Sequence, residues 1–181
     1  MSCLREIHFQ DDIAAPSWEE LCEAAAEALE CARRHSTTLG TAESCTGGLI
    51  SAALTAVAGS SDVMLGSVVS YACSVKEALL GVSSETLASV GAVSSECAQQ
   101  MAEGALRALG CATSVAVTGI AGPGGAVPGK PVGTVWFACA GEGSKVSERH
   151  LFSGDRGEVR AKTALVALSM LVDFMEGRIA D

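Results

Sequence analysis

Residues 41–48 read TAESCTGG: a small apolar run meets a carboxylate, then a serine, a cysteine and a threonine, then two glycines. At a strand-to-helix turn, Ser44 would project from a sheet edge while the amides of Thr46, Gly47 and Gly48 point at whatever it attacks. Gly47 and Gly48 keep that approach open, and a helix start favours a developing oxyanion or a phosphate. The competing reading is a turn in which Ser44 or Thr46 merely caps the helix. Cys45 is a rival nucleophile without an evident histidine partner.

A serine hydroxyl needs a base. The three histidines are His8 in a polar leader, His35 at a helix end and His150 on an edge strand, where it is expected at the surface. A Ser-His-Asp arrangement therefore finds poor support. The segment SYACSVK (70–76) offers Tyr71, the single tyrosine of the chain, and Lys76 five residues on. Lysine acts as a base only when burial or neighbouring positive charge lowers its pKa from about 10.4. The Tyr71 hydroxyl could relay or orient a proton between Lys76 and Ser44. The alternative is a solvated Lys76 and a packing tyrosine.

Two further segments offer anion contacts. VTGIAGPGG (117–125) carries Thr118, then Gly119, Gly122 and Gly124 around Pro123, and amides in such a turn can cradle a phosphate or carboxylate. No Gly-Lys-Ser/Thr follows, so it is not a nucleoside triphosphatase loop. FSGDRGEVR (152–160) places Arg156 and Arg160 at the start of the last helix, against the dipole, which a local anion would rationalise. A surface ion pair with Asp155 or Glu158 explains them equally well. Lys130 is one more candidate anion contact.

The elements that must position these residues follow from periodicity. Ser17 and Glu20 have capping-box spacing ahead of a helix running to about His35. A strand ends at Ser44, a helix is expected over 46–57, a second strand over 66–72 and a short helix over 74–81. A longer helix covers 94–110, with Gly110 as its C-terminal cap. A third strand over 113–119 enters the loop 120–131. Two strands, 132–140 and 145–152, form a hairpin, and a helix from about Glu158 to Met175 closes the chain. Strands alternating with helices indicate an α/β layered domain with a mostly parallel sheet. Ligands in such sheets bind beyond the carboxyl ends of the strands, where ESCTGG, SYACSVK and TGIAGPGG all fall. A polar leader over 1–15 and a single domain over 16–181 are expected.

Composition narrows the classes. With net charge −9 and pI near 4.8, no basic face for nucleic acid is expected. Eight cysteines stand apart along the chain, with no Cys-x-x-Cys pair, so the expectation is free thiols and no metal. No apolar run approaches the ~20 residues of a membrane span. The chain is read as soluble and cytoplasmic.

The stretch from TAESCTGG to KEALLGV (41–82), then GAVSSECAQQMAEGA, VAVTGIAGPGG and KPVGTVWFA, in that order, resembles the C-terminal domain family of the competence/damage-inducible protein CinA. The resemblance implies a three-layer α/β/α sandwich with a mixed, mostly parallel five-stranded sheet. It also implies hydrolysis of nicotinamide mononucleotide to nicotinate mononucleotide and ammonia, without cofactor or metal, by a homo-oligomer. Ser44 then matches the nucleophile, Tyr71 and Lys76 the activating pair and Thr118 a substrate-pocket threonine, with Arg156 or Arg160 holding the substrate. Where the family usually has Asn or Asp after the tyrosine, this chain has Ala72-Cys73-Ser74. A non-catalytic nucleotide-binding or regulatory module using the same pocket is the alternative.

Overall fold

The computed structural model describes residues 13–141 and 143–179; His8 and the leader up to residue 12 lie outside them. Helix α1 (Trp18–Arg34) begins at a capping box: Glu20 N donates to Ser17 Oγ (3.2 Å) and Ser17 N to Glu20 Oε2 (2.7 Å). Leu21, Ala25, Ala28, Leu29 and Ala32 recur at helical spacing and are buried. Strand β1 (Leu39–Glu43) is buried at every position, as a central strand covered on both faces must be. Then follow α2 (Leu49–Ala56), β2 (Met64–Val69), α3 (Cys73–Leu80), α4 (Ser84–Ser89), α5 (Ser95–Leu109), β3 (Thr113–Gly119), β4 (Thr134–Gly141), β5 (Ser144–Leu151) and α6 (Arg156–Met175).

The sheet order is β2-β1-β3-β4-β5. β1 is parallel to β2 and β3, while β4 is antiparallel to both β3 and β5. Four strands thus share one direction and β4 alone opposes them, which gives the expected mixed sheet. One face packs on α1, α2 and α6 through Leu29, Ile50, Leu54, Val117, Phe137 and Leu168. The other packs on α5, with α3 outside it, through Leu80, Met101, Ala116 and Ala138. The fold is an α/β/α sandwich. Small residues set its thickness: a Cβ on Gly104 of α5 would lie 2.1 Å from the Leu80 carbonyl oxygen, so only glycine permits this approach of α5 to the end of α3.

Several expectations shift. The turn 45–48 delays α2 to Leu49, because Gly47 and Gly48 adopt left-handed backbone (φ 63° and 98°). β2 ends at Val69 rather than residue 72, since the chain turns into α3 directly after Ser70 N donates to Glu43 O (2.8 Å). The six-residue α4, capped by Ser83, and a 3-10 turn at Ser60–Asp62 were not anticipated; both are too short for a helical period to repeat. His150 is buried at 7% exposure instead of lying at the surface. Its ring stacks on Phe152 and meets Phe137 edge-on, because the β4–β5 register sets it opposite Val135 on the α1/α6 face.

β1, β2 and β3 end on one side of the sheet, where β4 begins and where α6 starts after β5. That convergence brings Ser44, Lys76, the glycine loop and Arg156 to one place.

Candidate active site

Ser44 leaves β1 still tethered to the sheet, its amide donating to Val117 O (3.1 Å). Lys76, one turn into α3, reaches back under it. Its Nζ lies 2.8 Å from Ser44 Oγ, 2.5 Å from Ser70 O and 3.4 Å from Tyr71 O. Lys76 is 1% exposed, and no carboxylate pairs with it among the described residues. Burial therefore pulls its pKa below the ordinary lysine value, against weaker opposing effects of Cys97, Cys73, Cys45 and Tyr71. A neutral amine has two N–H bonds and one lone pair. Two carbonyls and one hydroxyl surround this one: as an ammonium it donates to all three, and in its neutral form, with the carbonyls taking the hydrogens, the lone pair is left for the Ser44 O–H.

Cys45, the rival nucleophile, points into the core. Its thiol is pushed up to about 12, chiefly by burial, so it stays protonated at neutral pH.

The buried Glu43 organises the turn. Its Oε2 accepts from Thr46 Oγ1 (2.7 Å), Gly48 N (3.0 Å) and Ile50 N (3.1 Å), and its Oε1 from Ser51 N (2.8 Å) and Thr41 Oγ1 (3.3 Å). The chain's own carboxylate thus occupies the start of α2, the place where sequence reasoning put a bound anion. Gly47 N is also committed, to Ser44 O (3.1 Å). Among the described residues, the amides of Cys45 and Thr46 are the ones in this turn that donate to no carbonyl or carboxylate. Arg160 grips the turn from α6, its Nη2 and Nε donating to Thr46 O at 2.7 and 3.3 Å. The roles of Glu43 and Arg160 were missed; the one available signal was an acidic residue at a strand end just ahead of a glycine-started helix.

The remaining candidates divide. Arg156 bridges two of the predicted segments, with Nη1 donating to Gly122 O (2.8 Å) and Nη2 to Tyr71 Oη (3.1 Å). Tyr71 is 64% exposed, and it meets Lys76 through its carbonyl while its hydroxyl lies at Arg156. Thr118 is buried and donates to Ala92 O (2.7 Å), tying β3 to the approach of α5. Gly119 packs against Val135, Gly122 contributes its carbonyl to Arg156, and Gly124 has open space around it. Lys130 donates to Val90 O (2.6 Å).

A buried serine–lysine pair at the carboxyl edge of a mixed α/β/α sheet, rimmed by a tyrosine, an arginine and a glycine loop, defines the class of site. The chain belongs to the CinA C-terminal domain family, which matches residues 21–175. It is 45% identical over 141 residues to a CinA-like protein of Thermotoga sp. (strain RQ2) and 48% identical over 141 residues to one of Mycolicibacterium gilvum (strain PYR-GCK). These matches cover 78% and 77% of the chain but 34% and 33% of the relatives, so the chain spans about a third of their length. Among solved structures it is similar to the competence damage-inducible protein A (ComA) of Klebsiella pneumoniae (TM-score 0.82, 40% identity, 84% of this chain and 95% of that one). The competence/damage inducible protein CihA of Agrobacterium tumefaciens is similar over 95% of this chain and 98% of its own, with TM-score 0.82 and 39% identity.

Proposed function

We propose that the chain is an amidohydrolase that converts nicotinamide mononucleotide to nicotinate mononucleotide and ammonia, serving pyridine-nucleotide salvage in the cytoplasm as a homo-oligomer. One observation carries the catalytic part: Lys76, buried without a counter-charge among the described residues, has its amine 2.8 Å from Ser44 Oγ. As Ser44 Oγ attacks the carboxamide carbon, Lys76 takes its proton. The amides of Cys45 and Thr46 receive the oxyanion, where loss of one donor typically costs ~10²–10³ in rate. Lys76 then returns the proton to the leaving nitrogen, the C–N bond breaks, and ammonia departs from an ester on Ser44. Water attacks that ester with Lys76 again as base, freeing the carboxylate product and the serine. Arg156 donates to Gly122 O and Tyr71 Oη at the rim, and in this reading it takes the phosphate together with the amides of the glycine loop.

An ammonia-release assay tests the reading. Wild-type protein should turn over nicotinamide mononucleotide, and Ser44→Ala should bind it without releasing ammonia; turnover retained in that variant would sink the proposal.

A second reading, a sensor that binds the nucleotide without cleaving it, draws on one feature. The helix bearing Lys76 has Ala72 at its N-cap, which offers no side-chain hydrogen bond. Tight binding by calorimetry with no ammonia from wild-type protein would select it.

A further inference from the structure

The opposite end of the sheet holds a second cluster with chemical potential. Cys31 and His35 stand four residues apart, one turn of helix, at the C-terminus of α1, and Glu176 caps the C-terminus of α6. Cys31 Sγ, a ring nitrogen of His35 and a carboxylate oxygen of Glu176 all lie within 4.8 Å of one another. The separation of Cys31 Sγ and Glu176 Oε1 is 3.8 Å. Sulfur is buried beneath the pair while the imidazole and carboxylate lie outside, so the trio opens to solvent. Beside it is a cavity of about 280 Å³ lined by His35, Thr37, Thr113, Phe174 and Gly177.

We propose that Cys31, His35 and Glu176 form a zinc site, with a fourth coordination position open toward this cavity. A thiolate, an imidazole and a carboxylate are a borderline-soft donor set that suits zinc and is poorly matched to magnesium or calcium. Bonds of about 2.0–2.3 Å in tetrahedral geometry place donors roughly 3.5 Å apart, close to the sulfur–oxygen separation here. The neighbours are compatible. Glu176 Oε1 also accepts from Arg34 (2.8 Å) and Oε2 from Arg178 (2.5 Å), which pairs in turn with Asp173. Both arginine side chains are 55% exposed. Such pairs are weak and screened by solvent. Zinc on Oε1 displaces Arg34 to water and leaves Arg178 on Oε2. On binding, the Cys31 S–H bond breaks, sulfur bonds to zinc, and one proton is released to solvent. The metal would link the C-termini of α1 and α6, and nothing in this site depends on the Ser44 chemistry.

Cobalt(II) titration of the purified full chain tests the proposal, because a cobalt–thiolate bond has a charge-transfer absorption that other ligands lack. The expected result is a band that saturates at one equivalent, is bleached by zinc, and disappears in Cys31→Ser. His35→Ala, at an exposed position, should fold normally and lose affinity by at least ~10-fold, the lower bound even for outer-sphere partners. Cys22→Ser, elsewhere on α1, should leave the titration unchanged. Absence of the band in wild-type protein, or a band at undiminished affinity in either the Cys31 or His35 variant, would overturn the site.

Discussion

Two lysines are buried in this protein, and they make different use of the same side chain. Lys162 of α6, 5% exposed, donates to Ser153 O (2.8 Å) and so pins the loop between β5 and α6. Lys76 of α3 also donates to a carbonyl, that of Ser70, yet its third neighbour is a serine hydroxyl at the head of a strand. Burial alone therefore does not make a base. What separates the two corners is whether the surroundings leave the amine an O–H to accept from once the carbonyls have taken its hydrogens.

The largest expected effect breaks the Lys76 side of this contrast. Lys76→Met should lower ammonia release by about 10²–10⁴-fold, the scale of general-base assistance. The wild-type rate should rise with pH through a pKa below the ordinary lysine value, and the residual rate of Lys76→Met should lack that limb. Stability should rise with pH as well. Because folding depresses the Lys76 pKa, the unfolded chain binds more protons between the folded value and about 10.4, so stability rises with pH across that window. Lys76→Met should flatten this slope and raise the melting temperature near neutral pH.

Next comes the turn that carries the serine. Glu43→Gln replaces one acceptor oxygen with an N–H₂ group facing backbone donors, and should cost about 2–3 kcal/mol by denaturant titration, with a fall in kcat. An unchanged midpoint would show that Glu43 does not organise the turn. Lys162→Met sharpens the comparison from the other side: a loss of about 1 kcal/mol with kcat/KM unchanged within error. A large activity loss there would erase the distinction between the two lysines. The smallest effect is Ala72→Asn, which supplies the missing cap of α3 and should stabilise by about 0.5–1 kcal/mol in thermal melts.

The parts of this architecture that are local were legible before any coordinates. Ser17 with Glu20, Gly110 at the end of α5, the strand-then-helix signals around Ser44 and Lys76, and the strand-then-loop signal at Thr118 each sit within a few residues of what they specify. Glu43 was not legible in the same way. Its donors come from a left-handed turn that folds back on the strand, and residue types alone do not say that a carboxylate will fill a helix start. His150 was misplaced for a similar reason: edge-strand position predicts exposure, but Phe137, which meets its ring edge-on, is a neighbour only through the β4–β5 register. Tyr71 and Arg156 are 85 residues apart, and no spacing rule pairs them.

The contact at Gly104 has a mechanical consequence. Leu80, whose carbonyl it admits, lies four residues beyond Lys76 on the same short rod, so any displacement there is transmitted to the amine with little loss. The 2.8 Å gap between Lys76 Nζ and Ser44 Oγ has a tolerance of a few tenths of an ångström before the hydrogen bond fails. One methyl group on α5 would act as a wedge under that rod. Position 104 is thus the gauge that sets the working clearance of the serine and its base.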